Sequence, residues 1–282
     1  MSDPHLPTEM LDHIVDHLHD TEDALRSCCL VSKSWIPRTQ KHLFADIKFP
    51  TEANLQSWKK SFPDPSVSPA YYANTLSIGC PHAVTAADVG EGGWITGFSR
   101  VTHLEVGSQG LLAGAWFSFI PFHGFSPVVK SLCVSVPTIS SRRVLGLVLS
   151  FPLLEDLAVM TRYETLSDKT GGTRKDETPT AAQLSNPPTF TGSLKLLLGR
   201  GTKQFTHRLL SLPGGIHFRK LNLTCSHAED LSMTTSLVEG CSHSLESLDI
   251  TCSLRSMSIR HLRPCDNLLI FLGGSMPASI DY

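Results

Sequence analysis

The chain has 282 residues, 41% hydrophobic and 18% charged, with a formal net charge of −2. That apolar content is ample for a core, and the length fits about two domains or one extended one. The near-neutral balance argues against a nucleic-acid footprint or an attraction to anionic membranes. No apolar run reaches the roughly 18 residues a membrane span needs, and the opening MSDPHLPTE lacks the basic and apolar regions of a secretory signal. The cytoplasm or nucleus is therefore the expected compartment, where the eight cysteines stay as thiols.

In chain order, LPTEMLDHIVDHL comes first. Met10, Leu11, Ile14, Val15 and Leu18 recur at helical spacing, while Pro7 and Glu9 suit a helix start, so a helix is predicted from about Thr8 to His19. A turn follows, and then Leu25, Cys28, Cys29, Leu30 and Val31 make a second apolar helix. Trp35, Leu43, Phe44 and Ile47 offer further packing surfaces, with Pro37 marking a helix start or break. Three short helices in under fifty residues bury too little surface to be secure alone. Their surplus of apolar groups calls for a partner.

Leu6-Pro7-x-Glu9-Met10-Leu11-x2-Ile14-Val15-x2-Leu18, followed by Leu30-Val31-Ser32-Lys33-x-Trp35 and Leu43-Phe44, resembles an F-box over Leu6 to Ile47. The resemblance implies a short three-helix domain over residues 1–50 that docks on the SKP-family adaptor of a cullin-based ubiquitin ligase. It places Leu6, Pro7, Met10, Ile14, Leu18, Val31 and Trp35 at or beside that adaptor. The stretch between Leu18 and Leu30, HDTEDALRSCC, is longer and more polar than the family's usual linkage. The alternative is a set of helices that only cap the rest of the chain, leaving a protein-binding scaffold with no ligase role.

SFPDPSVSPAYYANT, rich in Pro and Ser, reads as a junction, which gives a linker over residues 51–74. Beyond it a small unit recurs seven times, each with an apolar pair two apart: Leu76/Ile78, Leu104/Val106, Leu132/Val134, Leu157/Val159, Leu196/Leu198, Leu221/Leu223 and Leu248/Ile250. Leu194, Leu196, Leu197 and Leu198 leave the fifth register open. Steps of 28, 28, 25, 39, 25 and 27 residues between first leucines fall, the fourth excepted, within the spacing of leucine-rich repeats. The units resemble the degenerate leucine-rich repeats found downstream of F-boxes. The fold class expected is α/β, with residues 75–282 as an irregular repeat solenoid built on a parallel sheet with a helical or irregular back. RRVLGLVLSFP and AEDLSMTTSLVEGC have the helical spacing such a back needs. Cys80, Cys225 and Cys252, four beyond the first leucine of their units, are read as buried hydrophobes.

VGEGGWITGF reads as a Gly-rich linker with Trp94 exposed. The polar segment 161–192 accounts for the long step and is expected to be a flexible insertion. NLLIFLGGSMPASIDY is apolar in its first half and carries no recognisable terminal cap, so either it caps the array unconventionally or the chain is shorter than its relatives.

No catalytic, metal or cofactor site is found. His13 and His17 sit one helical turn apart near Asp16 and Asp20, but Ile14 stands where a zincin helix needs Glu. Cys225/His227 and Cys241/His243 lack companions at ligand spacing, and Gly199-x-Gly201 continues into neither a dinucleotide nor a Walker pattern. The function expected is a non-catalytic substrate receptor of an SCF-type ligase. Its outward strand residues, Glu105, Asp156 and Asn222 among them, would touch the target protein.

Overall fold

The computed structural model describes residues 7–80, 83–90, 92–107, 125, 128–135, 141–160, 188, 190–198, 202–225, 230–252 and 269–273. Three helices open the chain: α1 (Thr8–His17), α2 (Glu22–Val31) and α3 (Ile36–Leu43). Pro7 sits just before α1 with φ −53°, where its missing N–H costs nothing, and Glu9 lies in the first turn. Ser32 ends α2 in extended backbone and caps the 3-10 turn Lys33–Trp35 by accepting the Ser34 N–H at 3.3 Å. Pro37 occupies the first turn of α3 and so starts a helix.

The chain then passes straight into β1 (Asp46–Phe49). Eight further strands follow: β2 (Thr75–Ile78), β3 (His103–Gly107), β4 (Ser131–Ser135), β5 (Asp156–Val159), β6 (Ser193–Leu198), β7 (Lys220–Cys225), β8 (Ser247–Cys252) and β9 (Leu269–Gly273). They form one open parallel sheet in chain order, each strand paired with its sequence neighbours. Ile47, Leu76, Leu104, Leu132, Leu157, Leu194, Leu221 and Leu248 stand in one register row, and all are buried. A second row runs from Phe49 through Ile78, Val106, Val134, Val159, Leu196 and Leu223 to Ile250. Since alternate residues face opposite sides of a strand, the other parity is left outward.

The fifth repeat is settled by this register. Leu194, not Leu196, pairs with Leu157 and Leu221, so the fifth apolar pair is Leu194/Leu196. Leu198 falls in the third inward position beside Cys225, and Cys225 pairs in turn with Cys252. Cys80 and Cys225 are buried, whereas Cys252 is half-buried against the core.

A backbone device at the head of the strands fixes the register. Ala45 C=O accepts the N–H of Asn74 and of Thr75, at 2.9 and 3.0 Å. The same fork recurs at Asn74, Thr102, Lys130, Gly192 and Arg219, each carbonyl taking two successive amides of the next unit. Between β5 and β6 it is replaced. There Glu155 C=O accepts the Gly192 N–H, while the Asp156 carboxylate takes both the N–H and the hydroxyl of Ser193, each at 2.6 Å. A Cβ on Gly192 would meet that carboxylate oxygen at 2.4 Å, so the tie requires glycine. Phe190 enters it in left-handed backbone, φ 47°, with its ring buried 5.1 Å from that of Phe218. β5 and β6 pair over three residues, against six for β6 with β7 and for β7 with β8. Most of the expected insertion, residues 161–187 and 189, lies outside the described residues.

Helices cover the inward rows. Helices α6 (Ser141–Leu149), α7 (Thr202–Leu210) and α8 (Asp230–Gly240) pack consecutively across the back. The segment read as a junction is built into the same core. Thr51 caps α4 (Glu52–Ser61), accepting the Asn54 N–H at 3.3 Å, and Leu55, Ala70 and Ala73 are fully buried. Trp94 is buried rather than exposed: its ring meets Phe49 and Phe98 edge-on, each at 5.6 Å. Lys59 of α4 reaches Asp88 of α5 (Ala86–Val89) at 2.7 Å. Burial raises the Asp88 carboxyl, but Lys59 and the Thr85 donors outweigh it and hold the group below its ordinary value. Because no unit encloses its own leucines, a cavity in one row is felt by both neighbours. Leu132→Ala is expected to cost about 2–5 kcal/mol, read as a lower urea midpoint, whereas Glu105→Ala on the open side should stay within about 0.5 kcal/mol.

Candidate functional site

The N-terminal helices hide one side of themselves and leave the other open. Val15 of α1 and Leu25 and Cys28 of α2 are buried, with Leu11 and Leu18 half-buried beside them. Thr39 of α3 is buried too, its hydroxyl donating to the Trp35 carbonyl at 2.7 Å. On the opposite side Met10 is 54% exposed and Ile14 42%, four residues apart and therefore on one stripe of α1. At the end of α2, Leu30 is 89% and Val31 68% exposed. Pro7 is exposed just before the α1 stripe, and Trp35 is half-buried in the turn after α2. Of the seven residues assigned to the adaptor, Pro7, Met10, Ile14 and Val31 are thus on the surface, Leu18 and Trp35 are half-buried, and Leu6 lies outside the described residues.

Leu30 was missed by the sequence reading as a surface residue, although its signal was there. At 100° per residue it stands about 200° round the helix from Cys28, so burying Cys28 exposes Leu30. Single exposed leucines are ordinary. Four large apolar side chains on two helices successive in the sequence, each at least 42% exposed, ask for a covering surface.

An ionic clamp holds α1 in position. Asp16 Oδ1 accepts from Arg38 Nε at 2.6 Å and lies 2.7 Å from His42 Nε2, while Oδ2 accepts from Arg38 Nη2. Hydrogen bonds from Arg38 first, then from His42, hold the Asp16 carboxyl far below the usual carboxylate range, and the same contact raises Arg38. Both partners belong to α3, so the clamp sets the direction in which Met10 and Ile14 point.

His13 and His17 Nε2 atoms are 3.3 Å apart and exposed, but Asp16 is committed to α3 and Asp20 lies 3.1 Å from His19. No group of three or more potential ligands gathers among the described residues. Burial pushes the Cys241 thiol up to about 11, while His243 faces solvent. His227, Gly199 and Gly201 lie outside the described residues. Among the described residues no helix is long and apolar enough to cross a membrane.

The outward strand residues divide. Glu105 is exposed on β3. Asn222 is half-buried and donates to Asp249 at 3.3 Å. Asp156 is engaged inside the chain, in the tie to Ser193 described above. No family model, curated protein or solved structure matches this chain.

Asp16→Asn is expected to speed amide hydrogen exchange along α1 while leaving β2 to β8 protected. The pH dependence follows from the sign of the shift. A carboxyl depressed in the folded state stabilises fully above its ordinary value of about 4 and loses that effect as pH falls through the folded value. Protection of α1 should therefore hold from neutral pH down to about 4 and decline only in stronger acid.

Proposed function

We propose that this chain is the substrate-recognition subunit of an SCF-type ubiquitin ligase. Its N-terminal helices dock on a SKP-family adaptor and through it on a cullin, and its sheet holds a target protein. The observation that carries the reading is the exposed apolar residues of α1 and α2: Met10, Ile14, Leu30 and Val31 stand open in the isolated chain, in the segment that resembles an F-box. The role is proximity rather than chemistry. Holding a target next to a charged carrier raises the effective concentration of its lysines there. The seamless passage from α3 into β1 supports it further, because a target on the sheet then keeps a set distance from the adaptor.

The scaffold reading, in which the helices only cap the sheet, draws on the packing of α3 against the 3-10 turn Pro69–Tyr72. One experiment separates the two. Ile14→Asp and Leu30→Asp alter residues that already face water, so the melting temperature should hold within about 2 °C. Under the ligase reading, co-purification with a SKP-family adaptor falls at least about tenfold for each. A wild-type chain that captures no adaptor leaves the capping role.

A further inference from the structure

We propose that the outward face of the sheet binds an extended protein segment carrying a basic and an acidic residue four positions apart, with an apolar residue midway, laid across β3 to β6. This deepens the target-binding half of the receptor reading, but it needs no adaptor, so the two are tested by separate measurements.

The register places Glu105, Cys133, Ala158 and Lys195 side by side in one outward row on β3, β4, β5 and β6. Glu105 and Lys195 are exposed, of opposite charge, and neither has an ion-pair partner among the described residues. Elsewhere on this face Lys220 of β7 is also exposed, but it stands one strand beyond Lys195, and the remaining charges have contacts of their own. Lys48 is 2.7 Å from Asp46, Asp249 accepts from Asn222, and Asp156 is tied to Ser193. Between Glu105 and Lys195 the floor is formed by the half-buried Cys133 and Ala158, flanked by Ser131 and Ser135 on β4 and by Asp156 and Met160 on the β5 side. Burial raises the Cys133 thiol above its ordinary value, with Glu105 adding to the shift and Lys195 opposing it, so both charges are felt at that floor.

The spacing selects the occupant. Three inter-strand steps of roughly 4.8 Å separate the charges by about 14 Å. An extended chain rises roughly 3.3 Å per residue, so about four residues span that gap, and residues i, i+2 and i+4 face the same way. A basic residue then meets Glu105, an apolar one settles over Cys133 and Ala158, and an acidic one meets Lys195. Strands β3 to β6 are internal, with backbone groups engaged on both sides, so side chains rather than strand addition must read the segment. A polyanion such as nucleic acid would be repelled at Glu105.

The test uses the purified full chain and fluorescent peptides at low ionic strength, where exposed charges are least screened. Ser-Arg-Ser-Val-Ser-Glu-Ser is expected to bind more tightly than the same peptide with both charges replaced by Ser. Glu105→Lys and Lys195→Glu should each weaken it about fivefold, as befits an exposed ion pair lost. The double variant E105K/K195E should restore binding, because the peptide can lie end for end. Thermal melts of all variants should match the wild type. Equal binding of the uncharged peptide, indifference to either single reversal, or a double variant no better than the singles would overturn the proposal.

Discussion

One carbonyl at the head of a strand taking two amide protons from the next unit is a small interaction, but the molecule is organised by its repetition. A parallel strand shifted by a single residue would turn its leucines to solvent and its polar residues into the core. The forks at Ala45, Asn74, Thr102, Lys130, Gly192 and Arg219 hold each strand against such a slip. Hydrophobic burial then drives assembly, at roughly 25 cal/mol per Å² of apolar surface removed from water. The hydrogen bonds and the apolar period specify the same register.

The same logic extends to the N-terminal surface. Because α3 runs into β1 without a free linker, the helices are oriented by the first strand of the register, and the Asp16 clamp passes that orientation to α1. The apolar face is therefore presented by two constraints, one of backbone and one of charge. The Glu105–Lys195 row depends on register as well: a slip between β4 and β5 would break the alignment of Cys133 with Ala158.

Much of this was legible in the sequence, for identifiable reasons. Apolar pairs two apart gave strands at six of the seven repeats in their observed register, because inward leucines leave an unmistakable period. The fifth was displaced by two residues, since Ser193–Leu198 has apolar residues on both parities and only pairing decides between them. β1 was hidden by its four-residue length and by lying where the helical pattern closes. Helix α7 went unread because TKQFTHRLL has few apolar positions to show a period. The Pro- and Ser-rich stretch looked like a junction by composition, yet caps and 3-10 turns use those very residue types, and a few small or apolar residues among them fill the core. At the candidate site the stripe on α1 was readable from periodicity. The Asp16 clamp was not, because its partners lie 22 and 26 residues away.

The altered junction between β5 and β6 gives the array a grain. The extra length of that crossing is a minor effect: 37 residues from Leu157 to Leu194, in place of about 27, adds only about 0.3 kcal/mol of closure entropy. Loss of the carbonyl fork and the shortened pairing weigh more. In a linear array stability propagates through nearest neighbours, so a weak coupling divides it into cooperative blocks. Helix α6 packs on α7 across that junction, so the back of the sheet carries coupling that the strands there give up.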